Sequence, residues 1–250
     1  MRKTHLVIGD SHAKPGVNNN RFIWAGRLAV DIMADVIIDI GDWWDMESLS
    51  SYDKGKKSFE GRRYKADIDA GIDAMDKLCG EIAKENGYNP KLIRTKGNHE
   101  ERILKAVNNS PELEGVIGHH DLKSDEYGFK EYEYMIPVVT DGIAACHIYA
   151  SGIMGRPISG ENPAASVLAK KAMSCVFGHS HVLDFATRNN AMGKRMSAVN
   201  VGCFFEHDES YAGRQVNRMW DRGLTVLNEV QAGEFDFQWI SMAAIKKRYS

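Results

Sequence analysis

The feature of this chain that most constrains its fold is a short apolar run that recurs and is usually followed by a polar cluster. The runs are rich in β-branched residues and are bounded by glycine, which predicts buried strands. Clusters of chemical interest follow five of the runs, at residues 9–12 (Gly-Asp-Ser-His), 41–42 (Gly-Asp), 97–100 (Gly-Asn-His-Glu), 147 (His) and 178–181 (Gly-His-Ser-His). A sixth run ends at Gly202. Because ligands in open α/β sheets bind beyond the carboxyl ends of the strands, we expect these clusters to meet.

Helical patterns lie between some of these runs. Residues 22–34 carry repeated apolar side chains, and residues 64–83 carry a clearer stripe at the 3.6-residue spacing of an α-helix. The alternation of strand, helix and strand predicts an α/β architecture. Toward the C-terminus, residues 224–227 and 235–240 flank a turn near Ala232-Gly233, which predicts a β-hairpin.

Length and composition suit one domain over residues 1–250, since the chain has 250 residues of which 43% are hydrophobic. Two polar excursions, at residues 46–63 and 151–163, are expected to form loops at the rim of the site. The net charge of -2 provides no general attraction to nucleic acid or anionic membrane, but it leaves room for local basic patches. The four cysteines form no C-x-x-C pair, and no apolar run approaches the ~20 residues that span a bilayer. We therefore expect a cytoplasmic protein with reduced thiols and no membrane segment.

The polar clusters together contain two aspartates, one asparagine and five of the nine histidines. This mixture of imidazole and oxygen ligands suits first-row metals. Residues two apart in an extended segment point to the same side, so Asp10 and His12 can reach one ion, and His179 and His181 can line one cavity. Alone, D-x-H or Gly-Asp is a weak signal, since Gly-Asp is a common turn. The occurrence of all the clusters in order, each at a strand end, predicts a metal site.

The order of these motifs, D-x-H, G-D-x-x-D, G-N-H-E, H and G-H-x-H, resembles that of the calcineurin-like metallophosphoesterases. The match extends from residue 9 to residue 181, and as a five-part signature it is specific. The resemblance implies an α/β fold built as a β-sandwich flanked by helices, with a dinuclear metal site at the C-terminal ends of the strands. It also implies a phosphoric ester hydrolase that uses two divalent ions, with Mn favoured and with Fe, Zn, Ni or Mg compatible.

The resemblance also assigns roles to the motif residues. It implies one metal bound by Asp10, His12, Asp42 and His181, and a second bound by Asp42, Asn98, His147 and His179. Asp42 would bridge the two ions. His99 would act as general acid or contact the phosphate, while Asp45 and Glu100 would orient their neighbours. A hydroxide activated by both metals would then attack phosphorus in line.

The chain departs from the family pattern at three points. His147 is followed by Ile148 where the family often has glycine, so the nearby pair His119-His120 is a candidate substitute for this ligand. That pair lies in a polar stretch rather than after a strand, which favours His147. The residues after Gly41-Asp42 lack the Arg-Gly of protein serine/threonine phosphatases, and Ala13 stands where those enzymes usually have glycine. Protein phosphatase activity is therefore disfavoured.

Six basic residues between positions 54 and 65 directly follow the second motif, and they include the candidate substrate-binding residues Lys56, Lys57 and Arg62. Aromatic residues are interleaved with them, and Trp43 and Trp44 lie just upstream. Cationic side chains beside a phosphate site suggest contacts to further phosphates, and aromatic rings offer stacking for bases. The simpler interpretation is a solvated loop beside tryptophans of the core.

Arg156 is a further candidate phosphate contact, against the simpler interpretation of an ordinary surface arginine. The stretch from residue 151 to residue 165 resembles the corresponding loop of phage-encoded members of the family, which implies work on nucleic acid or nucleotides.

The sequence therefore favours a phosphodiesterase or nuclease that acts on nucleic acid or a nucleotide. A phosphomonoesterase for a small metabolite or a phosphoprotein is the alternative. A scaffold built on a catalytically dead phosphoesterase fold is a third interpretation, and the presence of a residue at every ligand position argues against it.

Overall fold

The computed structural model describes residues 1–209 and 211–250, in which thirteen β-strands and six α-helices are found. The strands are β1 (Lys3–Ile8), β2 (Val36–Asp39), β3 (Lys91–Thr95), β4 (Lys130–Tyr132), β5 (Val138–Thr140), β6 (Ile143–Ala145), β7 (Ala150–Ser151), β8 (Arg156–Pro157), β9 (Cys175–Phe177), β10 (Leu183–Asn189), β11 (Arg195–Val201), β12 (Gly223–Gln231) and β13 (Glu234–Ser241). The helices are α1 (Asn20–Asp31), α2 (Tyr64–Ile82), α3 (Glu101–Asn109), α4 (Pro163–Lys171), α5 (Gly213–Met219) and α6 (Met242–Tyr249).

Two large sheets contain most of the strands. The six-stranded sheet has the order β13-β12-β1-β2-β3-β4, with β1 to β4 parallel and the antiparallel hairpin β12–β13 added at one side. The five-stranded sheet has the order β10-β11-β9-β6-β5, in which β11, β9 and β6 are parallel to one another. Strands β7 and β8 pair separately as a short hairpin.

The two sheets pack face to face through an apolar interface. Val7 and Ile38 of the first sheet share a buried cluster with Val176 and Val199 of the second. On the other face of the first sheet, Leu6 packs with residues of α1, α2 and α6, and α4 covers the outer face of the second sheet. Strands β1 and β2 are thus buried on both faces, which explains their continuous apolar sequences. These layers agree with the expected sandwich of two sheets flanked by helices.

The helix and hairpin predictions agree with the observed elements. The pattern at residues 22–34 corresponds to α1, the stripe at residues 64–83 to α2, and the predicted hairpin to β12 and β13. The excursion at residues 46–63 contains only two single-turn 3-10 helices, and the excursion at residues 151–163 is irregular apart from the β7–β8 hairpin and the start of α4. Among the described residues, no helix is long and apolar enough to cross a membrane.

Candidate metal centre

The carboxyl ends of parallel strands bring the polar clusters to one edge of the sandwich. In the first sheet, β1, β2 and β3 are parallel and lead to Asp10, Asp42 and Asn98. In the second sheet, the parallel strands β6 and β9 lead to His147 and to the Gly-His-Ser-His segment. A β-bridge between residues 10 and 203 joins this edge to the segment after β11. The clusters therefore meet because the fold places these strand ends side by side.

The first ligand group comprises Asp10, His12 and His181, together with the shared Asp42. Ligand atoms of Asp10, His12 and His181 lie within 4.8 Å of one another, and all three residues are buried. His181 Nε2 is 3.0 Å from Asp10 Oδ2, and His12 Nε2 is 3.8 Å from Asp42 Oδ2. Two carboxylates and two imidazoles thus surround one space.

The second ligand group comprises Asn98, His147 and His179, again with Asp42. His147 Nε2 is 3.4 Å from Asp42 Oδ2 and 3.1 Å from Asn98 Oδ1, and His179 Nδ1 is 2.8 Å from the same Asn98 oxygen. His147 Nδ1 lies 3.0 Å from the carbonyl oxygen of Ile40. A hydrogen bond donated to that carbonyl fixes the imidazole with Nε2 toward the other ligands.

Asp42 lies between the two ligand groups. Its Oδ1 accepts a hydrogen bond of 2.8 Å from the backbone N–H of His99. Its Oδ2 faces His12 of the first group at 3.8 Å and His147 of the second at 3.4 Å. One carboxylate oxygen that faces imidazoles of both groups is the arrangement that a bridging ligand requires.

The carboxylates of both groups stay ionised although they are buried. Burial acts to raise the pKa of Asp10, but the hydrogen bond from His181 and the nearby His147 lower it to about 2. Burial opposes ionisation of Asp42 as well, yet the charge of His147 helps to hold its pKa well below the ordinary value. The site therefore keeps two buried carboxylate charges, which favour a cation once the protons of the neighbouring histidines are displaced.

The residues of this pocket also fit divalent cations by their donor atoms. His12 Nε2 is buried and has no hydrogen-bond partner in the part of the chain that the structure describes, so the ring presents a ligand atom to the pocket. Burial lowers the pKa of His12, but Asp42 and Glu209 raise it to about 10. His147 behaves similarly, since Asp42 raises its pKa to about 9 against the effect of burial. Binding of metal ions would displace these protons, and the ions would then balance the charge of the carboxylates.

Backbone strain is present at four of the predicted ligands. Four ligands adopt the left-handed region that non-glycine residues rarely occupy: His12 (φ 43°), Asp42 (φ 52°), His179 (φ 75°) and His181 (φ 60°). Each such residue costs about 1–3 kcal/mol and persists only where its surroundings impose it. Strain of this kind collects at functional sites, and here it coincides with the predicted ligands.

Glycine is needed at three positions beside the ligands, and the reason differs between them. Gly41 has a φ of 99°, so it permits a sharp turn that other residues rarely adopt. Gly97 and Gly178 serve a different purpose, because a Cβ at Gly97 would overlap the carboxylate of Asp42, and a Cβ at Gly178 would overlap that of Asp10. These two glycines leave room for a ligand from a neighbouring strand.

Glu100 connects two of the ligand-bearing loops. Its carboxylate accepts hydrogen bonds from the backbone N–H groups of Gly97 at 2.7 Å, Asp42 at 3.0 Å and Trp44 at 3.2 Å. Burial, followed by the charges of Asp42 and Asp39, raises the pKa of Glu100 to about 7. The side chain orients the loops that follow β2 and β3 and does not reach into either ligand group.

His99 lies at the junction of the two ligand groups. Its Nε2 is 3.8 Å from Asp42 Oδ2 and 2.9 Å from Arg102 Nη2, and its Nδ1 is 3.2 Å from Asp45 Oδ1. Arg102 is held in turn by a hydrogen bond of 2.6 Å to the backbone carbonyl of Asp45. The pKa of His99 is lowered, chiefly by burial. An imidazole and a guanidinium therefore stand together beside the shared carboxylate.

Sequence reasoning missed several residues at this site. Glu209 Oε1 lies 3.3 Å from His12 Nδ1, and Lys14 Nζ lies 2.9 Å from Glu209 Oε2 and 3.2 Å from Asp45 Oδ2. Arg102 was passed over because it lies outside the Gly-Asn-His-Glu motif. One signal for Glu209 was present, since it follows the apolar run that ends at Gly202, as the ligands follow the other runs.

The pair His119-His120, considered as a substitute for His147, does not join the ligand groups. His119 Nδ1 is 2.9 Å from Lys96 Nζ, and its Nε2 is 3.2 Å from the carbonyl oxygen of Glu100. His120 is exposed and lies 3.5 Å from Asp121. The structure places His147, rather than this pair, at the second ligand group.

The candidate substrate-binding residues have different environments. Arg62 is largely enclosed in its own loop, where its Nη1 donates to Asp53 at 2.8 Å. Lys56 is exposed and 3.4 Å from the same carboxylate, while Lys57 and Arg156 are exposed. Within the described ranges, none of the four has a hydrogen bond or an ion pair with a predicted metal ligand. Their contact with substrate stays a prediction.

The structure confirms the simpler interpretation of Trp43 and Trp44 as tryptophans of the core, and the alternative that they stack on bases is wrong. Both side chains are fully buried, and their indole N–H groups donate to the carbonyls of Gly71 at 3.0 Å and Ile68 at 3.3 Å on α2. The side chain of Arg94 lies over both rings. The tryptophans belong to the core between the first sheet and α2.

Comparisons with known proteins add two solved structures. The chain is similar to a predicted phosphoesterase from Streptococcus pneumoniae, with 10% identity and a TM-score of 0.34 over 96% of this chain and 99% of that one. It is also similar to YfcE, a phosphoesterase from E. coli, with 10% identity and a TM-score of 0.38 over the same shares of the two chains. Neither a protein-family model nor a curated protein matches the chain. Because these TM-scores are low, the proposed function rests on the side chains of the site.

Proposed function

We propose that this chain is a metal-dependent phosphoester hydrolase with two adjacent cation sites. The observation that supports this most directly is the position of Asp42, whose Oδ2 faces His12 at 3.8 Å and His147 at 3.4 Å. Asp10 and His181 complete the first ligand group. Asn98 and His179 complete the second. Two cation sites that share one carboxylate are suited to displacement at phosphorus.

When bound, two divalent ions would neutralise charge on the phosphate and lower the pKa of a water molecule. The protein's own contribution is to hold seven ligand side chains in place before substrate arrives. Buried strand ends, the hydrogen bonds of Glu100 and strained ligand backbones supply that rigidity. A rigid and dry arrangement of donors avoids reorganisation during the reaction.

His99 and Arg102 are the groups placed to act on the ester itself. In the proposed reaction, the oxygen of water bonds to phosphorus and the ester P–O bond breaks. The attacking water gives up one proton, and the departing oxygen gains one from the protonated form of His99 or has its charge stabilised by that ring. Arg102, which is 2.9 Å from His99, would donate hydrogen bonds to phosphate oxygens. Asp45 orients His99 from the side of Nδ1, at 3.2 Å.

A diester of nucleic acid or a nucleotide is the proposed substrate class. Residues 53–65 carry six basic and two acidic side chains. Arg62 of this loop lies 3.7 Å from Glu47, which in turn pairs with Lys14 at 3.2 Å. Aromatic rings lie on the other side of the first ligand group, since Trp220 is 4.6 Å from the ring of His181 and Tyr211 is 6.3 Å from Trp220. Basic and aromatic side chains beside a phosphate site favour a nucleotide strand.

A phosphomonoesterase is the second candidate. The hydrogen-bond donors of Arg102 and His99 would suit the extra negative charge of a monoester as well. A catalytically dead scaffold is the third, and the seven assembled ligand side chains weigh against it.

The test compares hydrolysis of bis-p-nitrophenyl phosphate and p-nitrophenyl phosphate by the Mn-loaded chain, with His99→Ala as the blank. Preference for the diester would support the phosphodiesterase proposal and lead to labelled DNA and RNA. Preference for the monoester would favour the phosphatase and reduce the basic loop to a surface feature. Absence of both bound metal and turnover would support the scaffold.

A further inference from the structure

Glu209 is a buried carboxylate that the motif resemblance does not include. It is only 3% exposed, and its Oε1 lies 3.3 Å from Nδ1 of His12. The contact joins residues 197 positions apart in the chain, from the segment that follows β11 to the loop that follows β1. His12 Nε2, on the opposite side of the ring, faces Asp42 at 3.8 Å. Glu209 thus stands directly behind one predicted metal ligand.

The Glu209 carboxylate is itself held from two other sides. Lys14 Nζ donates to Oε2 at 2.9 Å, and His207 Nε2 lies 2.8 Å from Oε1. Its backbone is held as well, because the Glu209 N–H donates to Asn217 at 2.8 Å and its carbonyl accepts from Asn217 at 2.9 Å. A carboxylate fixed in this way can impose an orientation on the imidazole that it contacts.

We infer that Glu209 is the positioning residue of His12 and thereby sets the affinity of the first ligand group for a divalent cation. This inference rests on the proposed function. A hydrogen bond from Nδ1–H to a carboxylate fixes the ring, selects the tautomer with a free Nε2 and increases its basicity as a ligand. In the second group, Nδ1 of His147 lies 3.0 Å from the backbone carbonyl oxygen of Ile40 rather than from a carboxylate.

Neighbouring acidic residues provide a matched control. Glu206 and Asp208 lie in the same segment, but their side chains are 40% and 69% exposed and pair with Lys246 and Arg222. They make no contact with a predicted ligand among the residues described. Glu206→Gln therefore removes the same charge from the same segment without touching His12.

The experiment titrates Mn²⁺ into the full chain, after chelator treatment, by calorimetry. For Glu209→Gln we expect one site to weaken by about 10- to 100-fold and the other to stay within about twofold of wild type. Glu206→Gln should match wild type at both sites. Because the defect is one of affinity, turnover of Glu209→Gln should return toward the wild-type kcat at high Mn²⁺, which a general structural loss would not allow.

A double-mutant cycle identifies the site that responds. In a His12→Ala background, Glu209→Gln should leave the remaining Mn²⁺ site unchanged. Unchanged affinities in Glu209→Gln, or equal weakening of both sites, would overturn the inference. If Glu209→Gln does not fold, Lys14→Gln is the second variant, and an unaltered first site in that protein has the same consequence.

The inference and the proposed function can fail separately. A wild-type chain that binds two ions and hydrolyses esters, together with an unaffected Glu209→Gln variant, rejects only the role of Glu209. A wild-type chain that binds no Mn²⁺ rejects both.

Discussion

The two candidate ligand groups both face Asp42 but differ in charge and in the contacts that support them. The first adds a second carboxylate, Asp10, whereas the second adds the neutral amide of Asn98. In the first group, Nδ1 of His12 faces the carboxylate of Glu209. In the second, Nδ1 of His147 faces a backbone carbonyl. We therefore expect the first group to bind a cation more tightly, because it presents more negative charge in a buried place.

The two groups are also positioned by different segments of the chain. The second group depends on the ends of β2, β3, β6 and β9 and on main-chain support near them. The first depends on the ends of β1, β2 and β9 and also on the segment after β11, which supplies Glu209 and the buried ring of Phe205, stacked 5.0 Å from His12. Changes in that segment should separate the two groups, while changes in Asp42 should not.

The largest effect is expected for Asp42→Asn, which acts on both groups at once. Loss of the shared charge should weaken the binding of both ions, and turnover should fall to the background of metal-free protein. Metal content after gel filtration, measured together with turnover, checks this. Asp236→Asn, at an exposed position on β13, is the control. Loss of one ion only would show that Asp42 is not shared.

His99→Ala is expected to have the next largest effect, because His99 belongs to neither ligand group. Both ions should stay bound, while kcat falls by about 10²- to 10⁴-fold through loss of proton transfer to the leaving oxygen. Metal analysis beside steady-state kinetics separates these two quantities. Wild-type rates in this variant would reject the assignment.

The pair His12→Ala and His147→Ala tests the comparison directly. Each should remove one ion and lower turnover by about 10²- to 10³-fold, since an ion contributes several kcal/mol to transition-state stabilisation. The ion that His12→Ala retains should be the one that wild type binds more weakly. Retention of the tighter ion in that variant would reverse the order of affinity that we expect.

Arg102→Ala should lower kcat/KM by about 10- to 100-fold, which is the range of a hydrogen bond to a charged group. The metal affinities should not change, since the guanidinium contacts His99 and backbone carbonyls rather than a ligand. Inhibition by inorganic phosphate should weaken in parallel. Normal phosphate inhibition in this variant would place Arg102 outside the substrate site.

The mildest perturbation is a change of pH, with the smallest effect per step. In the metal-free protein, the pKa of His12 is raised to about 10 and that of His147 to about 9, so both rings are in the cationic imidazolium form at pH 7. Each ion must displace that proton, so each affinity should rise by about tenfold per pH unit from pH 7. The gain should end near pH 9 for the second group and nearer pH 10 for the first. Mn²⁺ calorimetry in two buffers with different ionisation heats counts the protons, and binding without proton release would contradict the assignment.

Much of this site could be predicted because its ligands lie in short motifs at strand ends. Residues such as Asp10 and His12 are two apart, so local backbone geometry relates them before any tertiary contact is known. The role of Trp44 could not be predicted in the same way. Its position beside a basic loop left both base stacking and burial in the core open, and the packing against α2 shows that it is buried.

Glu209 lay beyond such reasoning for a related reason. It has no motif of its own, and its partner His12 is 197 residues away. A contact at that separation depends on how β11 pairs with β9, on how the two sheets pack and on where the following segment returns. None of these is encoded in the spacing of nearby residues.

The sequence by itself determined the α/β class and the order of the strand-end clusters, because hydrophobic period and residue spacing are local properties, and the motif resemblance supplied the set of predicted ligands. The tertiary structure decided that the Asp42 carboxylate faces both His12 and His147, that His147 rather than His119 joins the second group, and that Glu209 lies against Nδ1 of His12. These are distances between segments far apart in the chain, and they exist only after two sheets have packed and brought their strand ends to one edge.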